Sequence, residues 1–327
     1  MIHGTHYQAI SRDSFADGKV WGPWLWYLND GSKSDATSRW KKEESAWPYK
    51  WFDNDAYQSR GKIQGRLVLS DGRPAAGAAI FLGDNGNTTV STLDQGQGYY
   101  YTTYADENGK FAIQDIRTGT YGLYAWAAGG ALGDVLTNFT QSDIVIREGK
   151  NTNLKDLTWK VTDPKNRIFQ IGAFDRTTDG FHLAGPTPFE HGRIAKCPAN
   201  LTYTIGTSTP DDWCFGQSAL GTWRVNFAVA GNATADAKLI VSLAGFSQGV
   251  SADILLNGVH VGNITSASLV NSQDTYRGAT RAGEWRSLEF PVARDGLRVG
   301  ANVLDVSVTR TTLWRGWLWD SLVLEWV

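Results

Sequence analysis

The sequence predicts an all-β protein, and three observations support that prediction. Aromatic residues are frequent, with 15 Trp, 12 Tyr and 13 Phe among 327 residues, and such side chains favour the pleated surface of a strand. The 36 Gly residues suit tight turns, because Gly adopts positive φ without strain. Alternating apolar and polar residues, interrupted by Asn-Gly and Asp-Gly pairs, recur beyond residue 61 and are typical of hairpins.

The N-terminal region, residues 1–60, differs from the rest because it is aromatic and partly helical in pattern. The stretch VWGPWLWYLNDG (20–31) predicts a buried strand that ends at an Asn-Asp-Gly turn. The stretch SDATSRWKKEESAWPY (34–49) predicts a short helix that is capped by Ser34 or Asp35 and ends ahead of a proline.

The next region, residues 61–160, predicts a small antiparallel sandwich in the size range of fibronectin type III modules. Short turn signals separate segments in which apolar and polar residues alternate. The turn-forming pairs are Asp71-Gly72, Asn108-Gly109 and Thr118-Gly119.

The C-terminal region, residues 161–327, predicts a jelly-roll sandwich of seven or more strands. The segment TWRVNFAV (222–229) alternates apolar with polar residues, and Asn257-Gly258 is a strong hairpin signal. Further segments with the same period of two are SLEFPV (287–292), NVLDVSVT (302–309) and SLVLEWV (321–327).

Net charge and hydropathy argue against two classes of partner. The formal net charge is −2, so no whole-molecule field would collect nucleic acid. No stretch reaches the roughly 18 uninterrupted apolar residues that a membrane helix needs. We expect a monomer that binds neither nucleic acid nor membrane.

Two features together favour a secreted glycoprotein. Asn-x-Ser/Thr sequons lie among turn-like residues, at Asn87, Asn138, Asn200, Asn232 and Asn263. The only cysteines, Cys197 and Cys214, close a loop in which a disulfide would stabilise the fold by about 3 kcal/mol; two free thiols are the alternative. No charged-then-apolar leader opens the chain, so we expect that a segment before Met1 is missing.

Common catalytic motifs are absent from the sequence, among them those of zinc metalloproteases and P-loop proteins. The acidic residues give no recognisable pair for glycoside hydrolysis. We predict no cofactor and no metal site. The alternative is a Ca²⁺ ion on Asp211 and Asp212, although neighbouring acidic residues in a loop are usually only solvated.

Aromatic and arginine residues near the C-terminus predict a carbohydrate-binding surface. A sugar ring has an apolar face of C–H bonds that stacks on Trp or Tyr, and a guanidinium pairs with the carboxylate of a uronate. The alternative is that most of these Trp residues pack in the core. The candidate binding residues are Arg277, Arg281, Trp285, Trp314 and Trp317.

Five phrases occur in a fixed order along the chain: VWGPWLWYLNDG (20–31), AWPYKW (46–51), ENGKFAIQDIRTGTYGLYAW (107–126), IFQIGAFDRTTDGF (168–181) and LTYTIGTSTPDDWCF (201–215). As an ordered set they resemble the rhamnogalacturonan lyases of the polysaccharide lyase family 4 type, found in fungi and plants. The resemblance extends over nearly all of the chain. It implies a C-terminal remnant of a catalytic β-sandwich over 1–60, a fibronectin type III-like domain over 61–160 and a carbohydrate-binding-like jelly roll over 161–327.

The resemblance also implies an activity, β-elimination at galacturonate in rhamnogalacturonan I, the pectic polysaccharide that would be the partner. That reaction needs a base at C5, a cation near the uronate carboxylate and help for the departing oxygen. The implied catalytic pair is a Lys, which would fall before Met1, and a His, for which His6 is the nearest match and His3 the alternative. We therefore expect weak or no lyase activity from this chain alone. Two other hypotheses are a non-catalytic carbohydrate-binding protein and a structural module.

Overall fold

The computed structural model describes residues 18–20, 22–86, 96–185, 190–231, 235–272, 275 and 278–327. The chain divides into two compact units: the first is Met1–Trp126 with Thr137–Lys160, and the second is Ala127–Leu136 with Val161–Val327. Within the described residues there are two α-helices and seventeen strands, which confirms the all-β prediction. No helix in these ranges is long and apolar enough to cross a membrane.

The strand predicted over residues 20–31 is wrong. The described residues of that stretch have no regular secondary structure, and Trp24 and Trp26 are 80% and 89% exposed. Pro23 lacks the backbone N–H that a strand ladder needs, and the first strand of the described chain begins only at Arg60. The stretch therefore runs as an irregular segment with its aromatic side chains outward.

The helix predicted after this stretch is confirmed. Helix α1 (Lys33–Ala46) begins after Ser32, whose hydroxyl accepts a hydrogen bond from the backbone N–H of Asp35 at 3.1 Å. The N-cap is therefore Ser32 rather than Ser34 or Asp35. A second helix, α2 (Asp55–Gln58), precedes the first strand. None of the residues of α1 is buried, so this helix lies on the surface of the first unit as described.

The sheets of the first unit contain seven strands: β1 (Arg60–Leu69), β2 (Ala79–Asp84), β3 (Tyr101–Tyr104), β4 (Lys110–Arg117), β5 (Gly119–Trp126), β6 (Phe139–Ile146) and β7 (Asn151–Trp159). One sheet has the order β4-β1-β7 and the other β3-β2-β5-β6. Ile63 and Leu82 are fully buried, one from each sheet. Gly72 and Gly109 have positive φ at two of the predicted turns.

The second unit contains ten strands: β8 (Arg167–Gly172), β9 (Leu201–Thr204), β10 (Gly216–Gln217), β11 (Gly221–Val229), β12 (Ala237–Phe246), β13 (Ser251–Leu256), β14 (Val259–Ile264), β15 (Arg286–Val292), β16 (Gly300–Arg310) and β17 (Trp317–Trp326). One sheet has the order β14-β13-β16-β11-β9; the other has the order β10-β17-β12-β15, and β8 also pairs with β17. Asn257 and Gly258 both have positive φ, as the predicted hairpin turn requires.

The core of the second unit is rich in tryptophan. The rings of Trp213, Trp223 and Trp319 are fully buried, and Trp213 meets the other two edge-on at centroid distances of 5.0 and 5.3 Å. Cys197 and Cys214 form a disulfide with their Cα atoms 5.8 Å apart. The disulfide thus ties the loop after β8 to the segment that carries Trp213.

Candidate functional site

The loops at one end of the second unit bring together four segments of the chain. One follows β8, one joins β12 to β13, one precedes β15 and one joins β16 to β17. The Thr280 hydroxyl donates to the Gly185 carbonyl at 2.7 Å, and the Ser247 hydroxyl donates to the Ser272 carbonyl at 2.8 Å. The Ser247 N–H also donates to the Gly316 carbonyl at 2.8 Å, which ties in the loop between β16 and β17. These hydrogen bonds hold the loops against one another at the end of the sandwich where four of the five predicted binding residues lie.

Trp314 is an exposed aromatic residue on the loop between β16 and β17. Its side chain is 37% exposed and its φ is +58°, a left-handed conformation that is uncommon for a bulky residue and costs about 1–3 kcal/mol. The His191 ring meets it edge-on with the centroids 6.3 Å apart. Gly192 packs so closely against the indole that a Cβ at this position would lie 2.8 Å from Nε1. The loop that carries His191 and Gly192 therefore covers one part of the indole, and the rest of the indole is accessible to a ligand.

Arg281 lies on the segment before β15 and pairs with an acid from the loop after β8. Its Nε donates to Asp179 Oδ2 at 2.9 Å, and 56% of its side chain is exposed. The backbone beneath is fixed as well, because the Arg281 carbonyl accepts from the Thr178 N–H at 2.7 Å, and the Thr178 hydroxyl donates to the Thr280 carbonyl at 2.6 Å. The guanidinium is therefore both oriented and accessible, as carboxylate recognition needs.

A buried carboxylate in strand β17 anchors the loop after β8. Asp320 accepts hydrogen bonds from the backbone N–H groups of Asp175 at 2.9 Å and Arg176 at 2.8 Å, and from the Ser242 hydroxyl at 2.5 Å. Burial raises the pKa of Asp320 to about 7. Burial also raises the pKa of Asp175, whose Oδ1 accepts from Thr177. The two acids fix the start of the loop that supplies the partner of Arg281.

Trp285 supports this network instead of standing out from the surface. Its indole N–H donates to the Ser242 hydroxyl at 2.8 Å and lies 3.3 Å from Asp320 Oδ2. The guanidinium of Arg176 lies 4.1 Å from the ring centroid, and Phe174 meets the ring edge-on at 5.7 Å. With its polar atom turned inward, Trp285 has a positioning role in the structure, and its predicted contact with a sugar stays a prediction.

Trp317 is fully buried, with 0% of its surface exposed. It begins strand β17 and packs edge-on against Trp319 with the centroids 5.9 Å apart. Its ring therefore has no face free for a sugar, which corrects the expectation that it would contact carbohydrate. The core alternative holds for this residue, because β17 is buried on both of its faces along nearly its whole length.

Several predicted residues lie outside the described ranges, so the structure says nothing of them. They are His3, His6, Asn87, Asn232 and Arg277. The other three sequon asparagines, Asn138, Asn200 and Asn263, are described and exposed, and their glycosylation stays a prediction.

The two aspartates considered for Ca²⁺ have protein partners. Asp211 Oδ1 lies 3.1 Å from His182 Nδ1, and Asp212 Oδ2 accepts from the backbone N–H of Thr209 at 2.7 Å. Backbone and side-chain hydrogen bonds from Thr209 lower the pKa of Asp212. Among the residues that the structure describes, no group of three or more His, Cys, Asp or Glu is arranged to hold a metal ion.

Sequence reasoning assigned no role to Asp179, His191 or Asp320. A signal for Asp320 was present, because WLWDSLVLEW places this acid among large apolar residues, and a buried acid needs hydrogen-bond donors around it. No comparable signal marks His191, since its contact with Trp314 joins loops more than a hundred residues apart in sequence.

Another exposed surface lies on the first unit and is formed by residues 22–51. Large apolar side chains are exposed along it, namely Trp24, Leu25, Trp26, Leu28, Trp40, Trp47 and Trp51. A groove of about 670 Å³ is lined by Trp24, Leu25 and Trp51 of this set, together with the charged residues Arg39, Glu43 and Lys50. Exposed apolar surface of this extent is typical of an interaction site.

Known proteins resemble both units. Residues 70–154 match the family model of polysaccharide lyase family 4, domain II, and residues 167–324 match the CBM-like model of domain III of the same family. Each unit thus contains a β-sandwich domain that one of these family models describes. The chain belongs to polysaccharide lyase family 4, of which it carries domains II and III.

Curated relatives support this assignment over most of the chain. A rhamnogalacturonate lyase of Dickeya dadantii (strain 3937) is 28% identical in an alignment of 318 positions that covers 92% of this chain and 52% of the relative. A probable rhamnogalacturonate lyase B of Aspergillus niger is 22% identical in an alignment of 370 positions, gaps included, that covers 93% of this chain and 51% of the relative. The chain therefore spans about half the length of the curated relatives it matches. A family 35 carbohydrate-binding module from Clostridium thermocellum aligns with 31% of this chain and 68% of its own at 18% identity, with a TM-score of only 0.20.

Proposed function

We propose that this protein acts on rhamnogalacturonan I as part of a rhamnogalacturonan endolyase, and that the loop end of its second unit binds the polymer. The names of the relatives support the substrate class. The observation that carries the binding role is the joint presence of a half-exposed Trp314 and an oriented, accessible Arg281 on loops that hydrogen bonds hold together.

Each of the two residues suits one part of the polymer. The accessible part of the Trp314 indole packs against the C–H face of a sugar ring, and the close packing of Gly192 against the indole holds the ring in place, so little rearrangement is needed on binding. Arg281 pairs with a galacturonate carboxylate, and a planar guanidinium makes two parallel hydrogen bonds to such a group. Rhamnogalacturonan presents both features, since charged uronate residues alternate with neutral rhamnose.

The proposed reaction is β-elimination at galacturonate: a general base takes the proton at C5, a double bond forms between C4 and C5, and the C4–O bond breaks as the departing oxygen takes up a proton. A cation at the uronate carboxylate makes the C5 proton more acidic, because it stabilises the negative charge that develops there. In this proposal the residues of the second unit bind the polysaccharide chain. The product is unsaturated, so its ultraviolet absorbance measures lyase activity.

Affinity electrophoresis in gels that contain rhamnogalacturonan I tests the binding role. We expect the protein to be retarded, and we expect Trp314→Ala and Arg281→Gln each to weaken binding at least fivefold, which corresponds to about 1 kcal/mol. Arg224→Gln is the matched control, because Arg224 is also half-exposed and also pairs with an aspartate, Asp305, at 2.7 Å on the same unit. Retardation that survives both test variants would rule out this binding site.

A second candidate is a pectin-binding protein without catalysis, which the CBM-like description of domain III favours. The lyase assay separates the two candidates in one direction. Growth of ultraviolet absorbance on rhamnogalacturonan I above a protein-free blank supports the lyase and rules out the binding protein without catalysis, whereas retardation in the gel is expected of both.

A further inference from the structure

The first unit contains a small cavity between its N-terminal segment and its strands. The cavity measures about 190 Å³, and its lining includes Trp47, Tyr57, Arg60, Tyr99 and Arg117. Pockets for drug-sized ligands measure about 300–1,000 Å³, so this one takes only a single sugar residue or part of one. Its lining combines two arginines with several aromatic rings.

The two guanidinium groups share one aromatic ring. Arg60 Cζ lies 4.6 Å from the centroid of Tyr57, and Arg117 Cζ lies 5.0 Å from the same centroid. Each also lies over a second ring, Arg60 at 4.8 Å from Trp47 and Arg117 at 4.0 Å from Tyr99. Cation–π contacts of this kind hold both positive charges in place without neutralising them.

Neither arginine has a carboxylate partner within salt-bridge distance among the described residues of the chain. Arg60 Nη1 donates to the carbonyl of Asp115 at 2.5 Å, and Arg117 Nη1 donates to the Tyr99 hydroxyl. Arg60 Nε is buried and has no hydrogen-bond partner within the described part of the chain. Burial lowers the pKa of Arg60, and the neighbouring charge of Arg117 lowers it further.

This arrangement is unfavourable unless an anion joins it. Two like charges sit close together in a partly buried cavity, and Arg117 is only 6% exposed. Buried charges in proteins are normally paired, as Arg167 of the second unit is with Glu325 at 3.7 Å. A carboxylate that entered the cavity would supply the missing negative charge.

We propose that the cavity around Arg60 and Arg117 is a binding site for the carboxylate of a uronate residue. The aromatic rings beside the two arginines then contact the sugar ring that carries the carboxylate, as in other carbohydrate sites. This site lies in the first unit and is separate in sequence from the loops that carry Trp314 and Arg281. The choice of a uronate rests on the proposed function, whereas the preference for a carboxylate rests only on the cavity.

The test is calorimetric titration of the full chain with trigalacturonate. The double variant Trp314→Ala/Arg281→Gln serves as the background, so that the binding site proposed on the loops of the second unit, called the loop site below, does not contribute. We expect Arg60→Gln and Arg117→Gln in this background each to lower the affinity at least tenfold. Arg66→Gln is the matched control, since Arg66 is an exposed arginine on the same strand as Arg60 and pairs with Asp156.

Two further comparisons keep the outcome unambiguous. The carboxyl-reduced trimer, which keeps the rings but has no charge, should not bind; equal binding of both trimers would overturn the proposal. Arg117 is buried and its variant can fail to fold, so the more accessible Arg60 gives the decisive result, and Arg60→Lys should recover part of the affinity because it keeps the charge. Unchanged affinity in folded Arg60→Gln would equally overturn the proposal.

Failure of this site and failure of the proposed function give different results. If only the cavity proposal fails, rhamnogalacturonan gels still retard the protein through Trp314 and Arg281. If only the loop site fails, the titration still shows a uronate affinity that depends on Arg60.

Discussion

Tryptophans in the two units have opposite environments, although the sequence around them looks alike. In VWGPWLWYLNDG of the first unit Trp24 and Trp26 are exposed, whereas in LWRGWLWDS of the second unit Trp317 and Trp319 are fully buried. Strand β17 pairs with β12 on one side and with β8 and β10 on the other, while the described part of residues 20–31 belongs to no strand. The comparison teaches that aromatic density alone does not determine burial; the pairing of the surrounding chain does.

The largest expected effect on the free energy of unfolding comes from a buried tryptophan of the second unit. Trp319→Ala should destabilise the second unit by about 3–5 kcal/mol, because it removes a large ring from a core in which Trp213 and Trp223 pack directly against it. Urea unfolding followed by circular dichroism measures this loss. Leu313→Ala, at an exposed position on the adjacent loop, is the control and should change stability by less than about 0.5 kcal/mol. Similar losses for both variants would contradict the packing described for the core.

A smaller effect on the free energy of unfolding is expected from Asp320, the buried acid that anchors the loop after β8. The pKa of Asp320 is raised by burial to about 7, above the value of about 3.9 for an aspartate in an unfolded chain. The folded protein therefore keeps a proton that the unfolded chain has already lost between these values. This contribution to stability is complete below about pH 4 and is lost as the pH rises toward 7.

Asp320→Asn tests this pH dependence. The free energy of unfolding of the original protein should fall between pH 4.5 and pH 7 more steeply than that of the variant, which carries no titrating group at this position. The matched control is Asp253→Asn, since Asp253 is partly exposed and accepts a hydrogen bond from Asn263 at 2.6 Å. Parallel pH profiles for the original protein and Asp320→Asn would show that Asp320 is not the group responsible.

Local signals in the sequence predicted much of the fold. Asn257-Gly258 and Asn108-Gly109 lie at turns because their glycines adopt positive φ, and a two-residue period then defines the strands between turns. The strand expected over residues 20–31 failed for the opposite reason. Its apolar residues suggested burial, but a strand also needs a neighbour, and sequence patterns within one segment contain no information about that neighbour.

The candidate site was predicted only in part. Arg281 and Trp314 are accessible, as a binding surface requires, and both were recognised from their residue types. The inward direction of the Trp285 indole depends on Ser242 and Asp320, which are distant in sequence. The paired arginines of the first unit were missed for the same reason, since Arg60 and Arg117 come together only when β1 pairs with β4.

The smallest effect on stability is expected on the exposed side of the tryptophan comparison. The double variant Trp24→Ser/Trp26→Ser should change the free energy of unfolding by less than about 0.5 kcal/mol, because the two side chains lose little contact with water on folding. The same variant should bind a hydrophobic fluorescent dye less strongly than the original protein, since these rings belong to the exposed apolar surface formed by residues 22–51. Tyr104→Ser, at another exposed aromatic position of the same unit, controls for the loss of a single isolated ring. A loss of several kcal/mol in the double variant would show that Trp24 and Trp26 are packed against other parts of the chain, and the contrast between the two units would then disappear.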